Sequence, residues 1–185
     1  MHTISEDSLY NNTDNQSNKQ ERIIFLDFDD CIIPWGNLSK NKLDFSEILA
    51  RTEKNINVLN SVCKKYNFNI FITSSWAAIL EFDENNKLRF KKDYLYQADE
   101  EMGPLLKIIN KLNYIKYLDT FNNREKAIIE FYRNNKNVFG IAIDDFYLGH
   151  LENELNNFYY LEAWDIKSID LLNKLERIIN EKFHK

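Results

Sequence analysis

Three short apolar runs recur along the chain: Ile23-Ile24-Phe25-Leu26, Ile70-Phe71-Ile72 and Phe139-Gly140-Ile141-Ala142-Ile143. Each is too short for a buried helix and rich in β-branched and aromatic residues, which predicts strands. The segments between them change period. A helix is predicted over 44–66, with Leu49, Ile56, Leu59 and Cys63 on one face. Another follows over 102–113, opened by Gly103-Pro104, where proline suits the first helical turn. A strand over 115–118, a helix over 124–134, a strand over 158–161 and a last amphipathic helix carrying Leu171, Leu175 and Ile178 complete the alternation.

Alternating strands and helices predict an α/β fold, a mainly parallel sheet with helices on both faces. In such sheets ligands sit beyond the carboxyl ends of the strands. Between the second and third runs, Ile79-Leu80-Glu81-Phe82, a turn at Asp83-Glu84-Asn85-Asn86 and Leu88-Arg89-Phe90 read as a small hairpin. The span from 76 to 124 holds this hairpin, one helix and one strand, and 31–73 is consumed by one flap and one helix. Residues 1–20, rich in Asn, Ser, Thr and Asp without apolar periodicity, read as a disordered leader ahead of one domain over 21–185.

Composition narrows the function classes. With 44% hydrophobic and 14% aromatic residues the chain is not globally disordered, and no apolar stretch approaches the roughly 20 residues of a membrane span. Two cysteines, Cys31 and Cys63, make no disulfide framework. Three histidines and no CxxC pair leave little for zinc. A net charge of −5 runs against a broad nucleic-acid footprint. The local basic cluster Lys87, Arg89, Lys91 and Lys92 reads as a solvated face.

The candidate chemistry lies where the apolar runs end. The first ends in Asp27-Phe28-Asp29-Asp30, the second in Thr73-Ser74-Ser75-Trp76 and the third in Asp144-Asp145. Magnesium takes oxygen ligands, commonly one or two carboxylates completed by water and substrate phosphate, and Asp27, Asp29 and Asp144 could supply them. A carboxylate beside a cation stays ionised and can attack phosphorus. Lys126, opening a helix shortly before the third run, could neutralise charge on the attacking carboxylate and the phosphoryl group.

These residues, in this order, resemble the four motifs of the haloacid dehalogenase (HAD) superfamily phosphatases: Asp27-Phe28-Asp29-Asp30-Cys31, Thr73, Lys126 and Asp144-Asp145. Two positions depart from the pattern. Cys31 stands where Thr or Val is usual, a small buried site that cysteine fills, and Asp30 stands where many members have glycine. Pro34-Trp35 is similar to the magnesium-dependent phosphatase-1 type, and Thr73-Ser74-Ser75-Trp76 resembles the HAD domains of RNA repair.

The resemblance implies a three-layer Rossmann-like HAD core without a large cap, and a magnesium-dependent phosphomonoester hydrolase. Asp27 is then the nucleophile that forms an aspartyl-phosphate, and Asp29 the proton shuttle, binding metal through its backbone carbonyl. Thr73, or Ser74 one residue on, and Lys126 hold the phosphoryl group, and Asp144 completes the metal site, with Asp145 either a second ligand or a residue that orients the ligands. Capless members tend to act on macromolecules, so a phosphoprotein is preferred, with phosphotyrosine leading. Nucleic-acid ends are the alternative, and a silent HAD-fold interaction module a third reading. Trp35 and Trp76 are taken as core or rim packing, and His150 has no derived role. The expected location is the cytoplasm or, by secretion as a bacterial effector, a host cell.

Overall fold

The computed structural model describes residues 20–35, 43–97, 102–113, 115–117, 123–163 and 168–183. The leader expected over 1–20 lies outside the described residues but for Gln20, as does the strand end expected at Leu118.

The three apolar runs become neighbouring strands. β1 (Glu21–Leu26) lies between β2 (Asn69–Ile72) and β6 (Val138–Asp144). With β5 (Ile115–Tyr117) and β7 (Phe158–Glu162) they form a five-stranded, wholly parallel sheet in the order β5-β2-β1-β6-β7. The intervening helices are α1 (Phe45–Tyr66), α2 (Gly103–Ile109), α3 (Arg124–Asn134) and α4 (Ser168–Phe183). β3 (Leu80–Phe82) and β4 (Leu88–Phe90) pair antiparallel as the expected hairpin, apart from the main sheet.

Alternation along the strands builds three layers. Ile24, Leu26, Ile70, Ile72, Ile141 and Ile143 are buried together with Ile56 and Leu59 of α1, Leu105 and Ile109 of α2, and Leu171 and Leu175 of α4. Ile23, Phe25, Phe71 and Ala142 face the other way, against Ile128 of α3. Both sides of β1 are covered, which is why its run is continuously apolar. Gly140 on β6 is required by close approach, since a Cβ there would meet the Tyr132 hydroxyl and lie 2.8 Å from the Phe25 ring.

The helix boundaries have local causes. Asp44 accepts a hydrogen bond from the Glu47 N–H (2.8 Å) and caps α1, which ends at Asn67 in the left-handed region (φ 58°). α2 stops at Ile109, short of the expected 113. Asn110 turns its side chain to the hairpin, accepting from the Leu88 N–H (2.7 Å) and donating to the Leu88 carbonyl (2.8 Å). The basic cluster is likewise largely engaged: Arg89 pairs with Glu81, Lys87 donates to the Asn110 carbonyl, and Lys91 donates to the Ala77 and Ala78 carbonyls. Cys31 and Cys63 are free and buried. Among the described residues, no helix is long and apolar enough to cross a membrane.

Candidate active site

Register makes the site. Leu26 lies level with Ile72 on one side and Ile143 on the other, so the residues that follow, Asp27, Thr73 and Asp144, emerge side by side. The Asp27 N–H donates to the Ile143 carbonyl (3.0 Å) and the Thr73 N–H to the Leu26 carbonyl (2.8 Å), extending the ladder to the crevice. Asp27, Thr73, Ser74 and Asp144 are all buried.

A guanidinium joins two of these acids. Arg124 Nη1 lies 2.6 Å from Asp144 Oδ1 and 3.2 Å from Asp27 Oδ2. Asp144 Oδ1 also accepts from the Phe146 N–H (2.8 Å). Burial pushes the Asp27 carboxyl up to about 7, with Arg124 opposing the rise and Asp144 adding to it. The Ser74 hydroxyl also favours its charged form. Burial likewise raises Asp144, against the hydrogen bond and charge of Arg124. The site therefore disfavours two adjacent negative charges and calls for more positive charge than one arginine supplies.

Lys126, the expected phosphate-holding cation, does not join the cluster. Asn123 caps α3 by accepting from the Lys126 N–H (3.0 Å), which makes Arg124 the first helical residue. Two residues on, at about 100° each, Lys126 is turned about 200° around the helix, and its side chain is exposed. The helix was anticipated correctly and the residue on its inward side was not.

Asp29 has a different setting. It is half-buried, and its Oδ1 accepts from Trp35 Nε1 (2.7 Å) and Trp76 Nε1 (3.0 Å), the latter also reaching Oδ2 at 3.0 Å. Asp30 has φ 50°, a left-handed position that glycine fills most easily and Asp tolerates; this accounts for the glycine common at that place in the superfamily pattern. The turn then closes as the N–H groups of Cys31, Ile32 and Ile33 all approach the Phe28 carbonyl (3.3, 3.1 and 2.9 Å). Asn55 of α1 donates to the Ile32 carbonyl (3.1 Å) and fixes the turn from below. An open pocket of about 500 Å³ lies on this side, lined by Asp29, Asp30, Trp35, Trp76 and Met102.

Asp27 and Asp145 each bring a carboxylate oxygen, and Cys31 its sulfur, within 4.8 Å of one another. Burial and the neighbouring Asp27 charge push the Cys31 thiol far up, so it stays neutral. Asp27 Oδ1 and Asp144 Oδ2 are buried without a hydrogen-bond partner. The Asp27 and Asp145 carboxylates fit a hard divalent cation that takes oxygen ligands, while Asp144 is outside this three-residue cluster and offers its orphaned Oδ2 from the neighbouring strand end. Outside the cluster, His150 Nε2 lies 3.2 Å from Glu125 Oε1, linking the turn after β6 to the first turn of α3.

The arrangement of strand-end acids, hydroxyls and a helix-borne cation has a counterpart among known families. The family model described as the HAD domain in Swiss Army Knife RNA repair proteins matches residues 23–161. The chain belongs to this family. No curated protein and no solved structure gives a match. The matched span of this HAD domain runs from within β1 to within β7 and holds every candidate site residue, Arg124 and both indoles included. Family membership agrees with the parallel sheet, and among the described residues there is no large cap. The domain is of a phosphatase-type hydrolase family, and nothing in the match singles out the phosphatase-1 or phosphotyrosine types.

Proposed function

We propose that the protein is a magnesium-dependent phosphomonoester hydrolase that removes terminal phosphates from RNA. The observation that carries the reading is the pairing of two acids two residues apart: Asp27, buried against Arg124 and Asp144, and Asp29, facing an open pocket. Membership of an RNA repair family favours nucleic-acid ends over the phosphotyrosine reading. A terminal phosphate is recognised at one point. The reading is therefore compatible with a net charge of −5, which a protein tracking a long backbone would not be expected to carry.

In the first half of the reaction an Asp27 carboxylate oxygen attacks phosphorus. The phosphorus–oxygen bond to the leaving group breaks, and Asp29 gives that oxygen a proton as it departs. In the second half Asp29 takes a proton from water as the water oxygen attacks phosphorus, and inorganic phosphate and free Asp27 are regenerated. Arg124 offsets the charge that gathers on the phosphoryl oxygens. Thr73 and Ser74 offer hydroxyls at the neighbouring strand end. Asp27, Asp144 and Asp145 are the side chains suited to hold magnesium, with the Asp29 backbone carbonyl assigned by the family resemblance. Bound magnesium supplies the positive charge that lets carboxylate and phosphate approach one another.

The test is phosphate release from 3′- and 5′-phosphorylated oligoribonucleotides beside phosphotyrosine peptides, with magnesium or chelator. Release from an RNA end at a kcat/KM at least about tenfold above the peptides is expected. Preference for the peptides would restore the protein-phosphatase reading. Inactivity of the folded protein toward every ester would leave the silent interaction module.

A further inference from the structure

We infer that Trp35 and Trp76 are positioning residues, whose indole N–H groups hold the Asp29 carboxylate in place to protonate the leaving group. The inference rests on the phosphatase reading and adds two residues to it.

The two indoles arrive from separate elements. Trp35 follows the turn after β1, which is closed by three N–H groups on the Phe28 carbonyl and by its own N–H on the Ile33 carbonyl (3.0 Å). Trp76 sits in the short 3₁₀ helix Ser75–Ala78 beyond β2. Ser74 caps that helix at its start, accepting from the Trp76 N–H (3.4 Å), and Lys91 from the hairpin donates to two of its last carbonyls (3.1 and 2.8 Å). The Trp76 ring packs edge-on against Phe28, centroids 5.7 Å apart, and is 5% exposed. The Trp76 indole is thus fixed by contacts independent of Asp29, the Trp35 ring packs half-buried against the core, and both N–H groups end on that carboxylate.

The donor chemistry suits the task. Indole N–H donates and never accepts, so neither tryptophan can take the proton that Asp29 must pass on. Oδ1 receives a bond from each ring, whereas among the described residues Oδ2 receives only the second branch of the Trp76 bond. Oδ2 keeps lone-pair capacity for a transferable proton. Both rings also line the pocket beside Asp29, the space into which a leaving group can extend.

The experiment compares kcat/KM for p-nitrophenyl phosphate and benzyl phosphate in the full-length parent, Trp35→Phe and Trp76→Phe. The two esters carry similar rings, so lost stacking affects both alike. p-Nitrophenolate leaves without help, whereas a benzyl alkoxide must be protonated as it departs. Because kcat/KM covers only the steps through phosphorylation of Asp27, the later hydrolysis does not enter.

Each tryptophan variant is expected to lose about tenfold more on benzyl phosphate than on p-nitrophenyl phosphate, a fraction of the ~10²–10⁴-fold that general acid catalysis contributes. In an Asp29→Asn background the same changes should cause no further selective loss. Equal losses on both esters, or a selective loss that persists without Asp29, would overturn the inference while leaving the phosphatase standing. A folded parent inactive toward both esters and toward phosphorylated oligoribonucleotides would overturn the phosphatase reading and the inference with it. Trp35, less enclosed than Trp76, carries the test alone should Trp76→Phe not fold.

Discussion

Asp27 and Asp29 leave the same strand two residues apart and enter opposite surroundings. Asp27 meets a guanidinium, a second carboxylate and a neutral thiol within a buried cluster. Asp29 meets two uncharged donors at the edge of an open pocket. A nucleophile needs compensating charge because it must be ionised where burial opposes ionisation. A proton shuttle needs a fixed orientation, and the two indole N–H groups supply one. The separation follows from backbone geometry: Asp27 continues the ladder beside β6, while Asp29 lies in a turn whose next residue has positive φ.

The largest break in this comparison is expected from removing the charged arm. Asp27→Asn keeps the shape but removes the proposed nucleophile, and hydrolysis of p-nitrophenyl phosphate should fall at least about 10³-fold, to background. Chelation should do the same to the parent, and added magnesium should raise the parent's thermal midpoint through its preference for the folded state. A midpoint indifferent to magnesium would show that Asp27, Asp144 and Asp145 do not bind it.

Arg124 comes next. Arg124→Ala strands two buried carboxylates and removes the cation facing the phosphoryl group, so kcat/KM should fall on the order of 10²-fold, as for a deleted transition-state donor. Arg124→Lys should recover part of this, because the charge returns without the planar fork. Activity of Arg124→Ala within a few-fold of the parent would remove Arg124 from the machinery and reopen the question of which cation serves it.

How far these features were legible follows from the same contrast. Strands buried on both faces write themselves as unbroken apolar runs, so β1, β2 and β6 and the acids and hydroxyls at their ends could be read directly. Their level register then made Asp27, Thr73 and Asp144 neighbours. Arg124 was hidden because it depends on the phase of α3. The helix lies at its expected bounds, but residue type alone pointed to Lys126, whereas Arg124, four residues before the buried Ile128, shares that residue's inward face. The indole clamp was hidden differently, since it joins Asp29 to Trp76 across 47 positions. Its sequence signal was a tryptophan directly after the strand-end hydroxyls, together with the need of a buried indole N–H for an acceptor.

A smaller effect is expected at the device that sets the phase. Asn123→Ala removes the acceptor for the Lys126 N–H and should cost about 1 kcal/mol, a drop in Tm of roughly 2–4 °C for a domain of this size. Because the first turn of α3 also aims Arg124, kcat/KM should fall several-fold, and Asn123→Asp, which restores a capping oxygen, should recover both. Loss of stability without loss of activity would mean that other contacts hold Arg124.

The smallest effect is expected where the linear sequence pointed most directly. Lys126 carries the right charge at the right interval, yet in the folded chain its backbone N–H is committed to the cap and its side chain is exposed. Lys126→Ala should therefore change stability by no more than about 0.5 kcal/mol, as exposed substitutions usually do, and leave kcat/KM on p-nitrophenyl phosphate within about twofold. Measured beside Arg124→Ala, this variant separates two explanations of catalysis that the sequence leaves superimposed. If charge anywhere on the first turn of α3 suffices, both variants lose activity to similar degrees. If the cation must sit between Asp27 and Asp144, only the arginine matters, and the ratio of the two losses measures how much the helix phase contributes.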